Sequence, residues 1–179
     1  MIKVDITEFA RKLDAVTKAY SRIPAEVATI AVNFSKERFR DQAWLDETKQ
    51  SWKPRKRRRA GGKKRSQTLL VNTGRLKRSI RKISADTNAI IIGTDVPYAQ
   101  IHNEGGTINE TVTVKTHRRR AHTRKRDKRV ETVKEHTVNS HTRKMNTKIP
   151  ERPFIGNSAT LKKRIILHIT ARFSAALKS

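Results

Sequence analysis

The chain has 179 residues, with 42 Lys/Arg against 16 Asp/Glu and a formal charge of +26. Hydrophobic residues make up 35% and aromatics 5%, so one modest core is expected, with part of the chain outside it. The lack of cysteine excludes disulfides and thiolate metal sites, and no apolar run nears the roughly 20 residues that cross a bilayer.

The opening stretch, MIKVDITEFARKLD, is amphipathic and too acidic for a secretory leader, so the protein is expected to stay in the compartment where it is made. Ile6, Phe9, Leu13, Val16, Tyr20 and Ile23 recur in steps of three and four, the mark of one apolar helix face. Pro24 interrupts that face but suits a first helical turn. A second stripe follows it, formed by Val27, Ile30, Ala31 and Phe34. Residues 5–42 therefore read as two consecutive helices, or one long kinked one. Residues 45–68 show no apolar periodicity and read as a loop, with Trp44 and Trp52 at its start and Gly61-Gly62 splitting a basic run.

In LLVNTGRLKRSI (69–80), Thr73-Gly74 is a turn, and Thr73 is placed to cap a short helix through Ser79. Strands at 80–85 and 89–93 around the turn ADTN form a hairpin, and the β-branched AIIIG is expected to be buried on both faces. In VPYAQIHNEGG, Tyr98, Ile101 and His102 share one face of a single helical turn, which Gly105-Gly106 ends as a C-cap. TVTVKT (111–116) alternates as a strand with one buried face does, and VETVKEHTVNSHT (130–142) alternates less cleanly. Between them HRRRAHTRKRDKR is too charged for core, so 107–148 reads as a long hairpin arm with a basic tip. IPERPFIG (149–156) is a connector. Leu161, Ile165, Ile169, Phe173 and Leu177 then give a closing helix, capped by Asn157 or Ser158. The expected fold is α+β and single-domain. A small antiparallel sheet packs with two N-terminal helices and a C-terminal helix, and a basic loop (53–66) and the extended arm are inserted in it.

The charge is uneven: residues 1–50 carry nine Lys/Arg and eight Asp/Glu, and the remainder thirty-three and eight. Such self-repulsion needs polyanions or acidic neighbours to offset it. Two runs hold most of the density. One comprises Lys53, Arg55, Lys56, Arg57, Arg58, Arg59, Lys63, Lys64 and Arg65; the other includes Arg118, Arg119, Arg120, Arg124, Lys125 and Arg126. Alone, the first resembles a nuclear address. Contact with DNA phosphates is the leading reading of both, ahead of docking on an acidic protein. No aromatic residues interleave with them, which argues against base stacking. His117, His122, His136 and His141 invite a zinc reading, with His117 opposite His136 if the arm turns near Arg126. But a five-residue step on a strand points paired histidines to opposite faces, and their neighbours are cationic. His102-Asn103-Glu104 lacks the further ligands of a nuclease, and His102 is expected to hydrogen-bond beside the helical turn. Thr73-Gly74 is a tight turn before it is a phosphate site. Arg152-Pro153-Phe154 reads as a packing anchor, with Phe154 buried and Arg152 paired to a carboxylate. No catalytic residue, metal or cofactor is expected. A general basic nucleic-acid binder, ribosomal or architectural, is the competing reading.

Five motifs in fixed order sharpen this: SWKP (51–54), LLVNTGRLKRSI, IIIGTDVPYAQIHNEGGTI (90–108), IPERPFIG and a terminal helix. Together they resemble the virion morphogenesis family of tailed bacteriophages, which includes tail-completion proteins. The matching positions are Trp52, Pro54, Thr73, Gly74, Leu76, Ser79, Tyr98, His102, Gly105, Gly106, Arg152, Pro153 and Phe154. The departures are the density of the basic run after Trp52 and Asn103-Glu104, where the family commonly has Gln or Glu and then an aromatic. The resemblance implies a structural virion protein, not an enzyme. It implies a homo-oligomeric ring, commonly six-fold, at the top of the tail or head–tail junction, after assembly in the host cytoplasm. Its implied partners are head-connector and tail-tube proteins and packaged double-stranded DNA, with no membrane or small-molecule substrate.

Overall fold

A computed structural model describes residues 6–54, 68–126 and 129–178, with the backbone alone at 125, 126 and 129. The chain divides into two compact units, Met1–Gly105 with Pro150–Ser179, and Gly106–Ile149.

The first unit is organised by α1, a single helix over Thr7–Asp41. Of the two readings of residues 5–42, two consecutive helices or one long one, the structure has the single long helix. Pro24 lies inside it and is buried. An internal proline costs roughly 3 kcal/mol through its missing N–H and ring clash. Here the periodicity continues unbroken across it, and Val27, Ala28, Ala31, Phe34 and Phe39 bury the face beyond. The helix ends at Gln42, which takes a left-handed conformation (φ 54°). Its side chain fixes the next segment: Gln42 Oε1 accepts the Leu69 amide at 2.6 Å, and its backbone carbonyl accepts the Trp52 amide at 2.8 Å.

β1 (Ala43–Leu45) and β2 (Lys49–Ser51) pair antiparallel, so part of the stretch read as loop is a hairpin. Every β2 residue is exposed, and a strand without a buried face leaves no apolar period to read. Trp44, in the middle of β1, and Trp52, just past β2, are both buried.

The short helix α2 (Arg75–Ser79) leads into the hairpin β3 (Arg81–Ala85)–β4 (Ile90–Gly93), which has a bulge between Lys82 and Ser84. Ile83 and Ile91 are 62% and 51% exposed, so this hairpin is covered on one side only, contrary to the expectation for AIIIG. A two-stranded sheet has no further strands or second layer to bury an outer face.

Helix α3 (Ala99–Glu104) and α4 (Ala159–Lys178) complete the unit. Ser158 caps α4: its Oγ accepts the Leu161 amide at 3.1 Å and donates to the Leu45 carbonyl at 2.8 Å. Asp46 Oδ1 accepts the Ala159 amide, a carboxylate at the positive end of a helix. α4 runs antiparallel to α1. Glu37 of α1 meets Arg164 at 2.9 Å, and Glu26, further back along α1, meets His168 at 2.8 Å and also Arg172.

The second unit is a nested antiparallel ladder. β5 (Gly106–Val114) pairs with β10 (His141–Ile149), β6 (His117–Arg119) with β9 (His136–Val138), and β7 (His122–Arg126) with β8 (Arg129–Val133). The register does not slip from Gly106↔Ile149 to Arg126↔Arg129. Val112 and Val114 alternate with exposed Thr111 and Thr113, but neither valine is fully buried.

Candidate functional site

The sequence motifs converge on one cluster in the first unit. Phe39, Trp52, Leu76, Ile80, Val96, Ala99 and Phe154 pack together, each at most 6% exposed. Phe39 meets Trp52 edge-on at 5.7 Å between ring centroids and Phe154 at 5.0 Å. Beyond area burial, aromatic pairs of this kind add about 0.5–1.5 kcal/mol each.

Hydrogen bonds stitch the motifs around that cluster. Trp52 Nε1 donates to the Pro153 carbonyl at 3.0 Å. Arg152 Nε and Nη2 reach the Lys53 carbonyl at 3.1 and 2.8 Å, and the Arg152 amide donates to the His102 carbonyl at 3.0 Å. Pro54 and the Lys53 side chain are exposed. Ser79 Oγ lies 2.6 Å from Thr94 Oγ1 and donates to the Leu76 carbonyl, tying α2 to the Gly-Thr segment after β4.

Asn103 does the most. Its Oδ1 accepts the Phe154 and Ile155 amides at 2.9 and 3.0 Å, and its Nδ2 donates to the Ile155 carbonyl at 3.0 Å. Sequence reasoning set this residue aside as a departure from the motif. Its one visible signal was its place one residue before Glu104-Gly105-Gly106. Gly105 has φ 74° with ψ −179°, a conformation open to glycine alone, and an added Cβ would lie 2.7 Å from the Glu151 amide nitrogen. It ends α3 as expected, but with an extended ψ rather than the left-handed helical one. Gly106 begins β5.

Three expected details differ. Gly74 (φ 74°) occupies the cap position of α2, and Thr73 Oγ1 accepts only the Arg75 amide, at 3.4 Å. The turn needs a left-handed residue at its last position, so glycine displaces threonine from the cap. Tyr98 is 41% exposed and does not anchor α3, which is held through Val96 and Ala99. His102 stacks edge-on to Tyr98 at 5.9 Å, and its Nδ1 is buried without a hydrogen-bond partner rather than bonded as expected. Burial, and then the Arg152 guanidinium, hold the His102 pKa below its usual 6.5. The Arg152 cation beside it opposes a metal ion there, and an imidazole held neutral is poorly placed to serve as an acid. It lines a cleft of about 260 Å³ with Tyr98, Arg152 and the 69–76 segment.

These motifs build a scaffold and bring no nucleophile, paired carboxylates or ligand cluster together; among the described residues no three His, Asp or Glu are grouped to hold a metal. The residues matched by the Phage virion morphogenesis family run from 4 to 174. The chain belongs to the phage virion morphogenesis family. No curated protein and no solved structure matches it. Membership carries a structural, virion-associated role. Among the described residues, no helix is long and apolar enough to cross a membrane.

The basic residues divide by position. Arg55, Lys56, Arg57, Arg58, Arg59, Lys63, Lys64 and Arg65 lie outside the described residues, as do the side chains of Lys125 and Arg126. Arg118, Arg119, Arg120 and Arg124 are exposed on or beside β6 and β7. Arg118 pairs with Glu135 at 2.7 Å and Arg124 with Glu131 at 3.0 Å. The register sets His117 opposite Val138 and His136 opposite Arg119, so those two histidines are offset rather than opposed. His122 faces Val133, and His141 faces Val114.

Proposed function

We propose that this member of the phage virion morphogenesis family is a tail-completion or neck subunit, one of a ring that joins tail to head around the DNA channel. The observation that carries the reading is how the motif residues are used. Most are consumed in the core and its hydrogen bonds, with Pro54 and Tyr98 exposed, which favours surfaces for assembly over a site for chemistry. The second unit supports it. By sequence, residues 106–149 hold thirteen Lys/Arg against four Asp/Glu. A two-stranded ladder is marginal by itself in water and gains from neighbours along its edges. Its basic side chains suit the phosphates of packaged DNA, contacted without sequence reading.

The test is a phage in which the gene is interrupted early. The expected products are DNA-filled heads and separate tails that do not join, and supplied protein restores joining. A tag on the chain should appear at the head–tail junction by electron microscopy. Normal, infectious particles made without the protein, or a tag found only elsewhere in the virion, would overturn the reading.

A further inference from the structure

The ladder of the second unit has two unlike sides. Successive side chains on a strand point to opposite sides, and residues paired across a ladder share one. On one side of β5–β10 stand only threonines, asparagines and lysines: Lys144 is opposite Thr111, Lys148 is opposite Thr107, and Asn146 donates to Asn109 at 2.6 Å. The other side holds the apolar Ile108, Val112, Val114, Met145 and Ile149 and the acidic Glu110. Two residues on each strand, 115–116 and 139–140, separate this segment from β6–β9, so the alternation stays in phase. There Arg118 reaches Glu135 at 2.7 Å on the side of Glu110, and Arg119 lies on the other side, opposite His136. In β7–β8, Arg124 is held by Glu131 at 3.0 Å, again on the side of Glu110. The described carboxylates of this unit therefore all lie on one side.

The cations away from them are unspent. Lys144, Lys148, Lys115 and Arg119 are all exposed, and among the described residues none of them forms an ion pair. They are also evenly placed. Lys148 stands level with Thr107 and Lys144 with Thr111, and Lys115 and Arg119 follow at the same four-residue step, about 13 Å at about 3.3 Å per residue. A row of unpaired cations repeated along a ribbon fits a partner whose negative charge repeats evenly, as that of duplex DNA does at about every 1.7 Å of its axis. Threonine and asparagine side chains, which stand between the lysines, are of the kind that contact phosphate and sugar. This side of β5–β10 has no apolar side chain to give a protein partner a dry core. A second copy of the ribbon is repelled, since thirteen Lys/Arg less four Asp/Glu leaves the unit at +9.

We infer that the carboxylate-free side of the ladder is a surface for duplex DNA, with Lys144, Lys148, Lys115 and Arg119 on its phosphates. Arg118 and Arg124 contribute little to it, because each already faces a glutamate. Lys144 and Lys148 lie outside both basic runs of the sequence, so the surface reaches to the base of the ribbon. This deepens the DNA-contact reading above and rests on it.

Two double variants of the full-length chain lose the same net charge at different places. Lys144→Ala with Lys148→Ala is compared with Arg118→Ala with Arg124→Ala by titrating a mixed-sequence DNA duplex at several salt concentrations. The lysine pair should reduce the slope of log K against log salt by about 2, at about 0.9 for each contact, and the arginine pair should leave it nearly unchanged. Lys144→Arg with Lys148→Arg should keep the wild-type slope, which separates lost charge from a disrupted strand. Equal losses in the two alanine pairs would mean that net charge alone governs binding, and would overturn the sided surface, as would a loss confined to the arginine pair. Binding of poly-glutamate that falls with the lysine pair while duplex binding is kept would overturn it in favour of an acidic protein. A wild-type chain without salt-dependent duplex binding would overturn phosphate contact itself, whereas the ring stands or falls on the joining of heads to tails.

Discussion

Asn103 shows how one side chain can hold a motif in place. Three hydrogen bonds to Phe154 and Ile155 join α3 to the segment that inserts Phe154 into the core. At about 0.5–1.5 kcal/mol each, Asn103→Ala should cost about 2–4 kcal/mol. Asn103→Asp keeps both acceptors, loses the donor to Ile155 and should cost about 1 kcal/mol. Urea midpoints at unchanged slope would show the order; equal losses would mean the amide donor, not the acceptors, carries the contact. Glu26 gives a prediction of a different kind. Hydrogen bonds from Arg172 and then His168 hold its carboxyl below the ordinary 4.5. A depressed carboxyl stabilises the fold above its unfolded value, and that contribution is lost as pH falls through the folded one. The stability gap between wild type and Glu26→Gln should therefore be present at neutral pH and close in acid, below the usual glutamate range. A gap that is constant with pH would assign the effect to packing. His102 acts in the same sense but in a higher pH window and for a different reason. Its imidazole is kept neutral, so the fold loses stability as pH falls through the usual histidine value of 6.5, where the unfolded chain takes up the proton.

Among the elements, α1 and the β5–β10 ladder are opposites in their support. The second half of α1 is covered by α4, β1 and the β3–β4 hairpin, with Phe34 edge-on to Trp44 at 5.9 Å. Arg38, 1% exposed, lies over the Phe34 ring at 4.4 Å with Asp41 at 3.1 Å. The ladder has two strands at every level, and most of its side chains are exposed. Opening free energy follows buried contact, so the two should separate in hydrogen exchange. In the isolated chain, amides of Ala31–Phe39 should exchange only on global unfolding, and those of β6–β9 by local opening at far lower free energy. Equal protection in both would show that the ladder is held by contacts beyond its own strands.

At the scale of the whole molecule, charge governs behaviour. Each phosphate contact with duplex DNA contributes about −0.9 to the slope of log K against log salt. Replacing Arg119 and Arg120 with alanine should weaken duplex binding evenly across sequences and reduce that slope by about 2, read by titration at several salt concentrations. An unchanged slope would remove the two arginines from the phosphate-contacting surface.

Most element types were legible in the sequence because they rest on short-range rules; the β1–β2 hairpin, with β2 wholly exposed, was not. A 3.6-residue apolar period gives α1 and α4 whatever they pack against, Ser158 precedes its helix at capping distance, and five ordered motifs announce the family. Charge is a property of composition and needed no structure. What tertiary structure decided was which periodic faces meet a partner. Ile6–Tyr20 and Val27–Phe39 read alike, yet α4 is long enough to cover only the second. It also decided that Pro24 stays within a continuous helix, since burial beyond it offsets a local penalty. Likewise, the partners of Asn103 and Arg152 lie about fifty and about a hundred residues away. Contacts at such separations depend on how the elements pack, and no local pattern encodes them.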